Sequence, residues 1–142
     1  MPDIILVSGG FDPIHSGHIK LINDANKYGD VVVLLNSDAW LRNKKGKEFL
    51  SFDERKIIMQ NIKGVLDVLD FDDSDQSCVD GILKAKNQFQ NNIIKFANGG
   101  DRNNKTTPEK EFCDKNNIET LFGIGGNNKS NSSSWILKKW KE

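Results

Sequence analysis

Cysteine is nearly absent from this sequence: Cys78 and Cys113 are the two it has, far apart and in no C-x-x-C spacing. That excludes a thiolate zinc site and a dithiol redox motif, and leaves two reduced, partly buried thiols. No apolar run approaches the roughly 18 residues of a membrane-spanning helix. The N-terminus enters an apolar strand pattern at once, without a basic start or a cleavage site. Neither signal peptide nor membrane partner is expected, and the cytoplasm is the expected compartment. Charge of one sign is also missing, since 20 Lys and Arg balance 20 Asp and Glu. No nucleic-acid partner follows from that balance, so a polyanion site must be a local cluster of donors. There is no repeat and no linker, and 142 residues make one domain, 1–142.

What is present alternates between two periodicities. Asp3 to Ser8 is apolar and branched, as in a strand buried on both faces of a parallel sheet. Ile19, Leu21, Ile22, Ala25 and Tyr28 recur at helical spacing, with Gly29 as a stop. Strands are predicted at 31–35, 65–71, 93–97 and 118–124. Helices are predicted after the Ser51-Phe52-Asp53-Glu54 capping box, near 75–90, after Thr107-Pro108-Glu109, and from Ser132–Ser134 onward. Residues 37–50, with Lys44, Lys45 and Lys47, read as a polar loop, and Asp70, Asp72, Asp73 and Asp75 as a solvated acidic loop. The alternation predicts a single-domain, Rossmann-like, doubly wound α/β fold. Its five parallel strands would place ligands at their carboxyl ends.

The segment Ser8-Gly9-Gly10-Phe11-Asp12-Pro13-Ile14-His15-Ser16-Gly17-His18 lies between the first strand and the first helix. Two glycines allow a tight turn and close ligand approach, and amides at a helix start suit phosphate. His15 and His18 are the two histidines of the chain, and their spacing puts both on one face of the first helical turn. Paired imidazoles there can stabilise charge developing on a phosphate. This segment resembles the H-x-G-H signature of the cytidylyltransferase-like nucleotidylyltransferase superfamily. Further stretches extend the resemblance: Asn36-Ser37-Asp38, the lysine loop with Arg55, Gly99-Gly100-Asp101 and Asn131-Ser132-Ser133-Ser134.

The resemblance implies a catalytic set of His15, His18, Lys44, Lys45 and Ser133. It implies nucleotide binding by Gly9, Gly10, Phe11, Asp38, Lys47, Arg55, Gly99, Gly100, Asp101, Arg102, Lys129, Ser132 and Ser134. Lys129 stands where the family often has arginine, and Gly46 where glycerol-3-phosphate cytidylyltransferases carry a basic residue. The implied partners are a nucleoside triphosphate with Mg²⁺ and a phosphorylated small-molecule acceptor, with no protein metal site. A homodimer is expected, with Trp135 or Trp140 at an interface or in the core. CTP is favoured. Asn36-Ser37-Asp38-Ala39 and Lys45-Gly46 are closer to heptose-1-phosphate adenylyltransferases. A rival of another class is a non-catalytic α/β nucleotide sensor. A receiver domain is disfavoured, because Gly9-Gly10 stands where its clustered acids belong.

Overall fold

Ile4–Gly9 forms the central strand, β1, and Ile4 to Val7 are buried as their unbroken apolar run requires. The computed structural model describes residues 2–99, 107–125 and 133–141. After β1 come α1 (Ser16–Asn26), β2 (Asp30–Leu35), α2 (Asp38–Lys45), α3 (Phe52–Gln60) and β3 (Val65–Leu69). Then follow α4 (Val79–Gln88), β4 (Ile94–Gly99), α5 (Pro108–Lys115), β5 (Glu119–Ile124) and α6 (Ser133–Lys141). The strands form one parallel sheet in the order β3-β2-β1-β4-β5, the expected Rossmann-like architecture.

Alternation along the strands divides the core into two layers. Ile4, Leu6, Val32, Leu34 and Phe96 face Ile82 and Ala85 of α4 and Cys113 of α5. Ile5, Val7, Val31, Val33 and Leu35 face Ile22 and Ala25 of α1 and Met59 of α3. Both layers are apolar, so β1 and β2 read as continuous hydrophobic runs. Gly29 has a packing reason beyond stopping a helix: a Cβ there would overlap the Asp3 carbonyl, which accepts from the Asp30 N–H at 2.9 Å as β2 joins β1.

Chain order reverses at β1, which lies between β2 and β4. Pairing of β1 with β4 runs from Ile4↔Ile94 to Leu6↔Phe96, while the strands continue to Gly9 and Gly99. The crevice at the carboxyl ends therefore opens at the topological switch point.

Two expectations are corrected. Residues 38–45 are helical, not loop. The Ser37 hydroxyl caps α2 by accepting from the Trp40 N–H, Leu41 is buried, and Gly46 closes the helix in the left-handed conformation at φ 85°. The acidic segment is not wholly solvated either. Asp73 is buried, and its carboxylate accepts from the Asn36 side-chain amide at 3.0 Å and from the Ser37 N–H and hydroxyl at 2.8 Å each.

Candidate active site

The β1–α1 turn is built by its own side chains. Phe11 sits in the left-handed region at φ 51°, buried, with its ring edge-on to His18 at 4.8 Å between centroids. The buried Asp12 carboxylate accepts from the Phe49 and Leu50 N–H groups at 2.6 and 2.7 Å, fastening the turn to the segment before α3. A buried carboxylate with two amide donors is a satisfied anchor.

His15 is the N-cap of α1. Its Nδ1 accepts from the Gly17 N–H at 3.0 Å, and Nδ1 of His18 accepts from the His15 N–H at 3.2 Å. This is a reciprocal capping box made of two histidines. It has a chemical consequence: a nitrogen that accepts carries no proton, so in each neutral ring Nε2 is the donor. The rings stack at 3.8 Å between centroids. Burial, then the neighbouring His15 and Lys45, hold the His18 pKa down at about 3, so His18 is neutral at physiological pH.

A cleft of about 350 Å³ opens over this turn, lined by Gly9, Gly10, Phe11, His18, Lys44 and Lys45 among others. Lys45 Nζ donates to the Asp12 carbonyl at 2.9 Å, and its burial lowers its pKa. Lys44 lies over the Trp40 ring at 4.6 Å. Gly10 is kept bare by the protein itself, since a Cβ there would come within 2.7 Å of Leu41 Cδ2. Ser133 arrives from the far end of the chain: its hydroxyl donates to the Pro13 carbonyl at 2.8 Å, tying the start of α6 to the histidine turn. That proton is thus committed, and the residue's direct service is to place α6.

Other expected site residues fall elsewhere. Arg55 does not face the cleft. Its buried guanidinium donates to the carbonyls of Leu50 at 3.0 Å, Gly10 at 2.9 Å and Asn36 at 2.8 Å, and to Asp38 Oδ1 at 2.7 Å. It holds the ends of β1 and β2 together, and Asp38 is its counter-ion rather than a cleft-lining ribose acceptor. Lys47 lies in a groove of about 530 Å³ with Phe49, Leu137 and Trp140, and Lys45 borders both spaces. Gly99 ends β4 in register with Ile124. Gly100, Asp101, Arg102, Lys129 and Ser132 lie outside the described residues. Ser134 belongs to α6, but its side chain is outside them.

The cleft also holds residues that motif reading passed over: Gln76, Ser77, Cys78 and Glu109. A usable signal existed. A helix that follows a parallel strand starts at the carboxyl edge of the sheet, so the acid of Thr107-Pro108-Glu109 is placed by topology at the ligand side. Among the described residues, no group of three or more His, Cys, Asp or Glu could hold a metal ion, and no helix is long and apolar enough to cross a membrane.

A parallel sheet with donors converging at its switch point defines an α/β domain built to hold phosphates. Residues 6–127 match the cytidylyltransferase-like family. The chain belongs to that family and is a nucleotidyltransferase. It is 31% identical to the glycerol-3-phosphate cytidylyltransferase of Bacillus subtilis (strain 168), over 84% of this chain and 88% of that one. It is 28% identical to the bifunctional protein HldE of Syntrophotalea carbinolica over 98% of this chain, which spans only 28% of that longer protein. The fold is similar to the crystal structure of the lipopolysaccharide core biosynthesis protein from Thermoplasma volcanium GSS1, with TM-score 0.65, 20% identity, and coverage of 86% of this chain and 96% of that one.

Proposed function

We propose that the chain transfers a cytidylyl group from CTP to the phosphate of a small polyol, sugar or alcohol, releasing pyrophosphate. The observation that carries this reading is the paired-histidine cap, which leaves Nε2 as the donor of the His18 ring in a cleft lined also by Lys44 and Lys45. An acceptor phosphate oxygen attacks the α-phosphorus in line, the bond to the β-phosphate oxygen breaks, and pyrophosphate departs with those electrons. A phosphate monoester is already ionised near neutral pH, so no general base is needed. Catalysis then rests on positioning and charge stabilisation. His18 offers a neutral donor that costs no proton rearrangement as charge grows. Lys44 and Lys45 offset the repulsion between triphosphate and acceptor, and α6, held by Ser133, directs its N-terminal amides toward the terminal phosphates.

Mg²⁺ would enter with the triphosphate, held by phosphate oxygens and water, and neutralise charge there. A homodimer in the cytoplasm belongs to the same reading, and sedimentation at micromolar concentration tests the dimer. An ATP-dependent heptose-1-phosphate-type transfer is the second reading, favoured by the Lys45-Gly46 segment. Pyrophosphate release, screened across four nucleoside triphosphates and a panel of sugar, polyol and amino-alcohol phosphates, decides between them. CTP with glycerol 3-phosphate is the expected best pair. Release with ATP and a sugar 1-phosphate alone would replace the first reading by the second.

A further inference from the structure

The cleft has two chemically different ends. One is made of donors, His18, Lys44 and Lys45, beside the glycine turn. The other is lined by Gln76, Ser77, Cys78 and Glu109, and it carries a carboxylate. Glu109 comes from the first turn of α5 and is 8% exposed. Its Oε2 accepts from the Cys78 N–H at 2.9 Å. That bond caps the start of α4, where Cys78 offers no side-chain cap of its own. The neighbouring thiol is no nucleophile, because burial, and after it the Glu109 charge, push its pKa up to about 12.

The Cys78 N–H and the Cys78 thiol both engage this carboxylate from the protein side. A neutral amide would cap as well, without placing negative charge in a cleft that must take up several phosphates. A carboxylate in such a cleft favours a bound molecule that brings hydrogen-bond donors over one that brings only negative charge. Phosphates supply none at neutral pH. The hydroxyls of a polyol or sugar do, and the Gln76 amide in the same cleft has the mixed donor and acceptor groups that pair with hydroxyls, while the Ser77 hydroxyl is already spent on Asp75 at 2.9 Å.

Resting on the nucleotidyl-transfer reading, we infer that Glu109 is the specificity-determining residue for the acceptor. Its carboxylate accepts hydrogen bonds from the hydroxyls of a polyhydroxylated phosphate ester whose phosphate lies toward His18, Lys44 and Lys45. The acceptor is thereby read at both ends: charge at one, hydroxyls at the other. Glu109→Gln isolates this role from capping. The amide oxygen can still accept from the Cys78 N–H, while the NH₂ group turned to the cleft donates instead of accepting.

Calorimetric titration of wild type and Glu109→Gln with inorganic phosphate, glycerol 3-phosphate, a sugar 1-phosphate, phosphocholine and CTP tests this. Wild type should bind at least one hydroxylated ester more tightly than inorganic phosphate. Glu109→Gln should lose that surplus, roughly tenfold or more for a hydrogen bond to a charged group. Its affinities for inorganic phosphate and CTP should not fall, since the change removes a negative charge from the cleft. Gln76→Ala, at an exposed position, should reduce the same surplus without touching the cap, and decides the matter if Glu109→Gln does not fold. No surplus in wild type, an unchanged surplus in the variant that folds, a loss confined to CTP, or phosphocholine as the favoured ester would each overturn the inference. Binding is read here without turnover. If no acceptor released pyrophosphate, the proposed reaction would fail while this result stood, and turnover indifferent to Glu109→Gln would sink the inference alone.

Discussion

His18 carries two duties that substitution can separate. Its Nδ1 accepts from the His15 N–H, which leaves Nε2 as the donor of a ring that lines the cleft. Glutamine at the third helical position can also complete a capping box. We therefore expect His18→Gln to keep the helix start while turnover falls roughly a hundredfold, as loss of one transition-state donor does. Pyrophosphate release and a thermal melt check the two halves. The same residue sets a pH dependence. Its pKa is about 3 in the fold against 6.5 for the free side chain. Between those values the unfolded chain binds more protons, so stability rises with pH across the window and is lost as pH falls through it. Urea titrations from pH 7 to 4 should show that loss, and His18→Gln should flatten it. Arg55 is the opposite kind of residue, wholly structural here. Arg55→Met strands Asp38 and three carbonyls, and should cost roughly 3–5 kcal/mol, the range for breaking a buried pair. Chemical denaturation reads it, and a stability unchanged within about 0.5 kcal/mol would mean the guanidinium is not the clamp described.

At the scale of an element, α2 matters most because it turns a lysine-rich stretch into a fixed wall. Gly46 N–H donates to the Arg42 carbonyl at 2.7 Å, and Arg42 pairs with Glu48 at 2.6 Å. Amides from Leu41 to Gly46 should therefore exchange slowly even without ligand, the reverse of what a mobile loop would show. Gly46→Ala forces a Cβ into the left-handed region and should cost on the order of 1 kcal/mol. Neutralising Lys44 and Lys45 to glutamine should cost no more than about 1.5 kcal/mol, the range for the one hydrogen bond from Lys45 to the Asp12 carbonyl, because Lys44 is exposed. It should cut kcat/KM sharply, and the deficit should be greatest at low ionic strength, where the wild-type attraction is least screened. Steady-state kinetics across a salt series measures it. A deficit indifferent to salt would deny the lysines an electrostatic role.

At the scale of the whole molecule, the site is assembled across the chain. Ser133 reaches Pro13, Glu109 reaches Cys78 and Arg55 reaches Gly10. Nucleotide binding should therefore stabilise the fold as a unit. CTP at about a hundred times its Kd should add roughly 2.7 kcal/mol by mass action. A chain ended after Gly125 should keep the sheet, because α6 contributes no strand and exposes Trp135 and Trp140. It should lose most of the CTP-induced shift in melting temperature. A full shift in the truncated chain would remove α6 from the phosphate site.

By itself the sequence determined the sheet and the central motif, because both are written in local patterns. The apolar runs of β1 and β2, the capping residues Ser51 and Thr107, and the glycine-histidine segment depend on neighbours within a few positions. It did not determine α2, where Ser37 and Gly46 were present as cap signals but lysines masked a helix whose one buried anchor is Leu41. Nor did it determine which charges meet ligand and which meet protein. Arg55 and Lys45 are both cations near the same motif. Only packing decided that the first is enclosed by three carbonyls and Asp38 while the second borders the cleft. Asp73 and Glu109 were two acids among many until the fold buried one beneath Ser37 and brought the other to Cys78. Burial and hydrogen-bond partners arise from contacts between residues distant in the chain. No local pattern encodes them, so the tertiary structure alone separated scaffold from site.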